Sequence, residues 1–265
     1  MFRADLHCHS TCSDGTLTPV QLVELAKKQD LAGLSITDHD TIEAYDTAVE
    51  AARDLGILLG TGVELSSEFQ KMSVHILGYN YSLGSELMQD FCRKHKERRR
   101  RRNLAILAKL ARLNMVIAEE ELPGRSIGRP HIAQKMVEKG YVKSAKEAFN
   151  LFIGEGKCCY DAGVAFSVPE TLDVIHRSGG KAFVAHPHLF ANGAKMRVLL
   201  QEPFDGLECY YAHSYPALEK RWLKIAKEKQ WLTSGGSDFH GDIRPGIPLG
   251  CSWVDEAMFH KIFSS

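Results

Sequence analysis

The sequence predicts an α/β protein, a distorted (β/α)7 barrel interrupted by a small helical insertion. Short apolar runs typical of buried strands alternate with amphipathic stretches of helical spacing. Most predicted strands carry a histidine or carboxylate near their C-terminal end, the face on which β/α barrels assemble active sites. The strand pattern stops before residue 98 and resumes near residue 164. An open doubly wound sheet is the alternative, but side chains from so many strands converge more easily in a closed barrel.

The first predicted strand, residues 2–10, leads into the stretch DLHCHSTCSD. Alternation along a strand points Asp5, His7 and His9 to one face, and Asp14 follows after a polar turn. Alone, such a pair of histidines is more often an incidental feature of a surface turn. Similar residues, however, adjoin five later apolar runs: His39 in TDHD, Glu64 in GVE, His75 in VHILGY, His186 in AHPH, and Asp238 and His240 in GGSDFHG. This repetition indicates a metal site, in which Asp5 either orients an imidazole or is an incidental carboxylate at the start of the strand.

The remaining elements follow from strand and helix signals. Thr18 and Gln21 form a predicted capping box, as does Ser167 with Glu170, and Gly56 is placed to end the second helix. The seven predicted strands lie within residues 2–10, 31–40, 57–65, 73–81, 181–188, 204–211 and 231–241.

Between the fourth and fifth predicted strands, a long helix from Leu87 carries five consecutive arginines at residues 98–102. The division that follows is a barrel of residues 1–97 and 165–265, with a helical insertion of residues 98–164 that caps the metal face.

Composition excludes several classes of protein. The chain has 265 residues, 44% of them hydrophobic and 25% charged, which is ordinary for a globular enzyme. A formal net charge of +0 gives no global field for nucleic acid or membranes. Met1 leads straight to Arg3 without an apolar leader, and the seven scattered cysteines suggest reduced thiols. We therefore expect a cytoplasmic protein with no membrane association and no obligate protein partner.

In order, DLHCHS, TDHD, GVE, VHILGY, AHP and GSDFHG resemble the motifs of the PHP family, the polymerase and histidinol phosphatase phosphoesterases. Each motif is weak alone, whereas the ordered set is specific. The GGSDFHG ending, the GRPHIA stretch and the insertion are most similar to the branch of nucleoside 3′,5′-bisphosphate phosphatases. The resemblance implies a barrel of the PHP type that converts these bisphosphates to 5′-mononucleotides and phosphate. It also implies 5′ to 3′ exoribonuclease action on short RNA.

The resemblance further implies three divalent ions and assigns their ligands position by position. The first ion takes His7, His9, Glu64 and Asp238, the second takes Asp14, His39 and His240, and the third takes Glu64, His75 and His186, with Glu64 bridging. The ligands of the second ion are also the candidate catalytic residues. Six neutral imidazoles and three carboxylates leave three divalent ions with a charge of about +3, which suits a phosphate ester. Mixed nitrogen and oxygen ligation fits Mn²⁺, Fe²⁺ or Zn²⁺, and the resemblance favours Mn²⁺.

Substrate-binding candidates lie in the insertion. Arg129 and His131 stand at a predicted helix start, where an arginine fork and free N–H groups suit a second phosphate, and Lys157 is a third candidate. The plain alternative is a capping arginine beside a packed histidine. The arginines at residues 98–102 either form a solvated helix face or contact the trailing phosphates of RNA. His188 and His213 lie near predicted strand ends, as site-lining or simply packed residues.

Three other functions stay open. A histidinol-phosphate-type phosphatase would release phosphate from a different monoester. A metal-dependent amidohydrolase also uses a His-x-His strand, but it would cleave an amide, and no strand lysine suited to bridge metals is evident. A non-catalytic nucleic-acid-binding protein would keep a relic metal site, and metal content measured together with activity would distinguish it.

Overall fold

Strands and helices alternate along the chain in the computed structural model, which describes residues 1–122, 124, 126–190, 193–212 and 214–264. The strands are β1 (Ala4–Cys8), β2 (Gly33–Ile36), β3 (Leu58–Leu59), β4 (Gly62–Phe69), β5 (Met72–Tyr79), β6 (Phe166–Ser167), β7 (Lys181–Val184), β8 (Gly206–Tyr211) and β9 (Leu232–Gly236). The helices are α1 (Pro19–Lys28), α2 (Tyr45–Leu55), α3 (Glu86–Ala111), α4 (Arg129–Glu138), α5 (Ala145–Ala148), α6 (Val168–Arg177), α7 (Gly193–Leu199), α8 (Pro216–Lys229) and α9 (Glu256–Phe263). The predicted α/β class is confirmed.

The strands hydrogen-bond in two sheets. One is parallel, in the order β1-β2-β3, and the other is mixed, in the order β6-β4-β5-β7-β8-β9, with β5 antiparallel to both β4 and β7. Single parallel bridges join the sheets at Cys8 with Phe239 and at His39 with Glu64. The ends of β1, β2, β4 and β9 therefore meet in one place, while a single closed seven-stranded barrel stays a prediction.

The predicted third strand is two strands, because the chain changes sheets between β3 and β4. β3 pairs with β2, whereas β4 pairs with β5 and β6. Glycines flank this crossing and allow close approach. A Cβ at Gly60 would overlap with the ring of Phe263, and one at Gly62 would overlap with Ser35 Oγ.

The predicted helix boundaries rest on caps that the structure contains. Thr18 Oγ1 accepts the Gln21 N–H at 3.2 Å, and Gln21 Oε1 accepts the Thr18 N–H at 2.9 Å. Gly56 ends α2 in the left-handed region at φ 66°. Ser167 Oγ accepts the Glu170 N–H at 3.3 Å and so caps α6.

Helix α3 connects two packed regions. Met88 and Phe91 at its start are buried in the cluster that covers the mixed sheet. Ile106 and Leu110 near its end are buried in a separate cluster with residues of α4. The predicted boundary at residue 98 lies inside this continuous helix, and the division into two domains stays a prediction. Among the described helices, none combines the length and apolarity needed to cross a membrane.

Gly236 ends β9 directly against β1, where a Cβ would overlap with the backbone nitrogen of His7 and lie 2.8 Å from Asp5 Oδ1. We expect Gly236→Ala to lower the free energy of unfolding by about 1–3 kcal/mol, because the two strands must separate to fit a methyl group. Urea denaturation measures this. Gly84→Ala is the control, since its nearest neighbour would be Ser82 Oγ at 3.7 Å and Gly84 is exposed. Equal effects of the two substitutions would contradict the expectation.

Candidate metal centre

Five imidazoles surround the carboxylate of Glu64, which lies in β4 and is 1% exposed. Oε1 lies 2.7 Å from His75 Nδ1 and 2.9 Å from His186 Nε2. Oε2 faces the other three, His39 Nδ1 at 3.0 Å, His9 Nε2 at 3.2 Å and His7 Nε2 at 3.4 Å. The two oxygens of one carboxylate thus face two different sets of imidazoles.

Two more carboxylates complete the cluster. Asp238 follows β9, and its Oδ1 lies 3.1 Å from His9 Nε2 and 3.4 Å from His7 Nε2. Asp14 lies opposite, with Oδ1 at 3.4 Å from His240 Nε2. All nine predicted ligands therefore belong to one continuous cluster of nitrogen and oxygen atoms.

The described residues contain three groups whose ligand atoms all lie within 4.8 Å of one another. The groups are His7, His9, Glu64 and Asp238, then His9, Asp14, His39 and His240, and finally His39, Glu64 and His75. The first group is the predicted first set, and the second is the predicted second set with His9 added. The third contains His39 where His186 was predicted. His186 still contacts Glu64, and the assignment of ligands to individual ions stays a prediction.

The cluster contains buried polar atoms of the kind that a cation satisfies. The side-chain atoms with no hydrogen-bond partner among the described residues include His7 Nε2, His9 Nε2, Asp14 Oδ1, His39 Nδ1, Glu64 Oε2 and His186 Nδ1. Buried polar atoms are nearly always paired, so unpaired lone-pair atoms gathered at one point are consistent with a bound cation. Imidazole nitrogens and carboxylate oxygens together fit divalent transition metals.

The carboxylates of the cluster are held in the ionised form that binds cations. Burial raises the pKa of Glu64, but its interactions with the surrounding imidazoles outweigh burial and hold this pKa well below its usual range. The same balance of burial and nearby imidazoles lowers the pKa of Asp14 and Asp238. Burial lowers the pKa of His39 to about 4, which keeps the imidazole in its neutral, metal-binding form.

Glu208 in β8 orients two of the histidines. Its Oε1 lies 2.7 Å from His7 Nδ1, and its Oε2 accepts the backbone N–H of His186 at 2.5 Å. A carboxylate on the far nitrogen fixes the tautomer and direction of a metal-binding imidazole. The sequence analysis assigned no role to Glu208, although a lone glutamate within the apolar run FDGLECYY was an available signal.

The expected role of Asp5 is wrong. Its carboxylate accepts the backbone N–H groups of His7 at 3.1 Å, Ser237 at 3.0 Å and Gly250 at 2.8 Å. Asp5 therefore ties β1 to the chain that follows β9, and it touches no imidazole through these bonds. Strand alternation gave the face of Asp5 but not its partners.

Asp238 is held by two further side chains. Its Oδ2 accepts hydrogen bonds from Tyr211 Oη at 2.7 Å and from Arg244. Asp238 itself has a φ of 53°, an uncommon conformation for a residue other than glycine. Sequence reasoning missed Arg244, because nothing in the local pattern distinguishes it from a surface arginine.

Three of the five consecutive arginines turn toward the centre. Arg99 Nε donates to Asp40 Oδ2 at 2.5 Å, which fastens α3 to the residue after His39. Arg98 and Arg102 line a cleft that also contains Asp14, His39 and His75. The other two, Arg100 and Arg101, are exposed and pair with Glu119 and Glu97. The five arginines are thus divided by helical spacing, some toward the cleft and some toward solvent.

Of the predicted substrate-binding residues, the structure brings Arg129 to the cleft. Its guanidinium carbon lies 5.2 Å from the ring centroid of Tyr160 and 5.9 Å from that of Phe149, both of which line the same cleft. The guanidinium is half-buried between these rings. Contact with aromatic rings restricts the motion of a guanidinium without using its N–H groups, which can then bind an anion.

His131 and Lys157 are not among the residues that line this cleft. His131 Nδ1 accepts the Gly128 N–H at 3.0 Å, so it caps α4 and faces a separate cavity on the other side of Asp14. Lys157 is exposed in a turn closed by its own N–H and Gly154 O. His188 packs against Tyr211, with ring centroids 4.3 Å apart, and His213 lies outside the described residues.

Residues 5–158 match the family model of the PHP domain. The chain belongs to the PHP family. It is 33% identical to a 5′-3′ exoribonuclease of Haemophilus influenzae, over 96% of this chain and 92% of the relative. It is 29% identical to a 3′,5′-nucleoside bisphosphate phosphatase of Chromobacterium violaceum, over 94% of this chain and 91% of the relative.

A solved structure from Bifidobacterium adolescentis, provisionally described as a metal-dependent phosphoesterase, superposes with a TM-score of 0.85 at 30% identity. The match covers 98% of this chain and 94% of that one. The PHP protein described here is thus an enzyme, a metal-dependent phosphoesterase whose histidine and carboxylate clusters can bind metal ions.

Glu208→Gln keeps the shape of the side chain but removes the charge beside His7. We expect the metal affinity to fall by about 10–100-fold, because the imidazole loses the anionic partner that raises its basicity. Titration of the metal-free protein with Mn²⁺ measures the change. Glu228→Gln, at an exposed position of α8 that belongs to none of the three ligand groups, is the control and should bind normally. Unchanged affinity in the Glu208 variant would refute this role.

Proposed function

We propose that this enzyme hydrolyses the 3′-phosphate ester of nucleoside 3′,5′-bisphosphates, and that it degrades short 5′-phosphorylated RNA from the 5′ end. The two substrates share one feature: the nucleotide whose 3′-phosphate ester is cleaved also carries a 5′-phosphate. The observation that carries the proposal is the position of Arg129 on the wall of the cleft that contains Asp14, His39 and His75. Such a cleft suits a substrate with two anionic groups, and the names of the relatives support this class.

Three divalent ions, Mn²⁺ in our proposal with Fe²⁺ or Zn²⁺ as alternatives, would be held by the predicted sets at the strand ends of a distorted barrel. When bound, they polarise the phosphoryl oxygens and supply an activated water at neutral pH. Among their ligands, Asp14 and His39 line the cleft, whereas His240 is buried behind them at 2% exposed. These three residues are the proposed catalytic group.

The protein's other side chains would position the substrate. Arg129 presents a planar fork that matches a phosphate through two hydrogen bonds. Arg98 and Arg102 line the same cleft and add positive charge to it. Their role would be to bind and orient the ester, since neither contacts the predicted ligands. His131, a candidate for the same phosphate, and Lys157, a candidate to face the cleft, do not line it.

Product analysis tests the reaction. The Mn²⁺-loaded protein should convert adenosine 3′,5′-bisphosphate to AMP and phosphate, and it should release mononucleotides from a short 5′-phosphorylated RNA. Asp14→Asn should lower kcat by more than about 100-fold, because loss of a metal ligand costs more than loss of a residue that only hydrogen-bonds to a ligand. The circular dichroism spectrum should not change. Asp242→Asn, an exposed neighbour, is the control. Release of phosphate from histidinol phosphate alone, or cleavage of amides alone, would favour the alternative enzymes.

Arg129→Ala tests the site for the second phosphate. Loss of a charge-assisted bidentate contact of about 1.5–3 kcal/mol should lower kcat/KM for the bisphosphate by roughly 10–100-fold. A nucleoside 3′-monophosphate, which has no second phosphate, should be hydrolysed within about threefold of the wild-type rate. Lys157→Ala is the matched cationic control and should leave both substrates unaffected. Equal losses on the two substrates would show that Arg129 does not discriminate the second phosphate.

A further inference from the structure

A second groove runs along the outer side of α3, opposite the loop that precedes β6. It has a volume of about 700 Å³. Five cationic side chains of α3 line it, Arg93, Lys94, Arg98, Arg101 and Arg102. Val164 of this loop and Phe166 at the start of β6 form an apolar wall. We call this feature the outer groove.

The outer groove continues the cleft of the metal centre. Arg98, Arg102 and Asp161 line both. The cleft itself measures about 240 Å³, below the roughly 300–1,000 Å³ typical of small-molecule sites. It therefore has room for the phosphate-bearing end of a substrate, and a longer substrate must leave along a continuous path. The shared residues make the outer groove such a path.

The charge of the outer groove is only partly compensated. Arg93 and Lys94 pair with Asp90, Arg101 pairs with Glu97, and Arg98 Nη2 lies 3.5 Å from Asp40 Oδ2. Arg102 instead donates to a neutral acceptor, Asn103 Oδ1, and Asp161 in the groove pairs with Lys109. Burial, followed by the charges of neighbouring arginines, lowers the pKa of Arg102 to about 9. Crowded guanidinium groups in a protein of net charge +0 favour binding of a polyanion at this site.

The apolar wall adds a second kind of contact. Val164 is 84% exposed, which is unusual for a large aliphatic side chain beside a row of cations. The guanidinium carbon of Arg98 lies 6.0 Å from the ring centroid of Phe166. Single-stranded nucleic acids bind where cations follow the backbone and flat or apolar groups receive the bases. An acidic peptide would use the cations but has no need of continuity with a phosphoesterase cleft.

We propose that the outer groove binds the part of a single-stranded RNA that lies on the 3′ side of the scissile phosphate. The proposal rests on the proposed function, in which the 5′-phosphorylated end occupies the cleft beside Arg129. The strand then passes Arg98 and Arg102, its later phosphates contact Lys94 and Arg101, and a base packs on Val164. The outer groove would thus favour oligonucleotides over the mononucleotide bisphosphate.

Two neighbouring arginines provide the test. Arg101 lines the outer groove and is 77% exposed, whereas Arg100 is 57% exposed on another face of the same helix. Arg101→Glu should lower kcat/KM for a 5′-phosphorylated hexanucleotide about tenfold and leave the bisphosphate within twofold. Arg100→Glu is the control, because it changes the net charge by the same amount. Each variant also places a new glutamate beside the former partner of the arginine, which is Glu119 for Arg100 and Glu97 for Arg101. Arg100→Glu should leave both substrates within twofold. Equal effects of the two reversals would overturn the proposal.

Binding is measured separately from cleavage. The probe is a 5′-phosphorylated hexanucleotide with a fluorescent label at its 3′ end, and its first linkage is a non-hydrolysable methylene phosphonate. Its fluorescence anisotropy is measured as the Mn²⁺-loaded protein is added. Arg101→Ala should reduce the slope of log affinity against log salt by about 0.7, the loss of one phosphate contact on a single strand. An unchanged slope would overturn the proposal. If the wild-type protein binds this probe through Arg101 but hydrolyses neither substrate, the proposed function fails and the outer groove stands.

Discussion

The structure depends on one buried carboxylate, that of Glu64. An ionised carboxylate that is 1% exposed is strongly unfavourable unless opposite charges or hydrogen bonds surround it. Here the surrounding groups are imidazoles from four separate parts of the chain, β1, the turn after β2, β5 and the turn after β7. The parallel bridge between His39 and Glu64 also links the two sheets. The position of this side chain therefore fixes the meeting point of the strands and the chemistry of the centre together.

A second set of carboxylates supports the first without facing it. Asp5 binds backbone N–H groups on both sides of the β1 and β9 junction. Asp38 accepts from Ser10 N at 2.7 Å and Ser13 Oγ at 2.5 Å, which shapes the turn that delivers Asp14. Asp40 anchors Arg99 of α3. These bonds hold the loops in place, so that the ligands of the centre are positioned before any cation binds.

The ligand cluster could be predicted from sequence because strand ends and alternation place side chains with little dependence on distant contacts. His7 and His9 needed only the period of a strand, and the ordered motifs supplied the rest. Glu208 and Arg244 were missed because their roles arise from contacts with His7 and Asp238 that local spacing does not encode. The split of the third predicted strand likewise depends on remote packing at Gly60 and Gly62. The substrate-binding role of His131 stays a prediction, because a histidine at a helix start can cap the helix as well as bind a ligand.

The ligands of the centre differ in exposure, and the more exposed ones face the cleft. His7 and His9 are fully buried, whereas His39 and His75 are 15% and 28% exposed toward the cleft. The guanidinium groups of Arg98, Arg102 and Arg129 crowd that same cleft, and burial lowers the pKa of each. Such crowding is unfavourable in the free protein and is relieved when an anion binds. Selectivity for phosphate esters therefore follows from the positions of a few arginines in a chain whose charges otherwise balance. Because an anion relieves the repulsion between these arginines, binding of the substrate also stabilises the cleft.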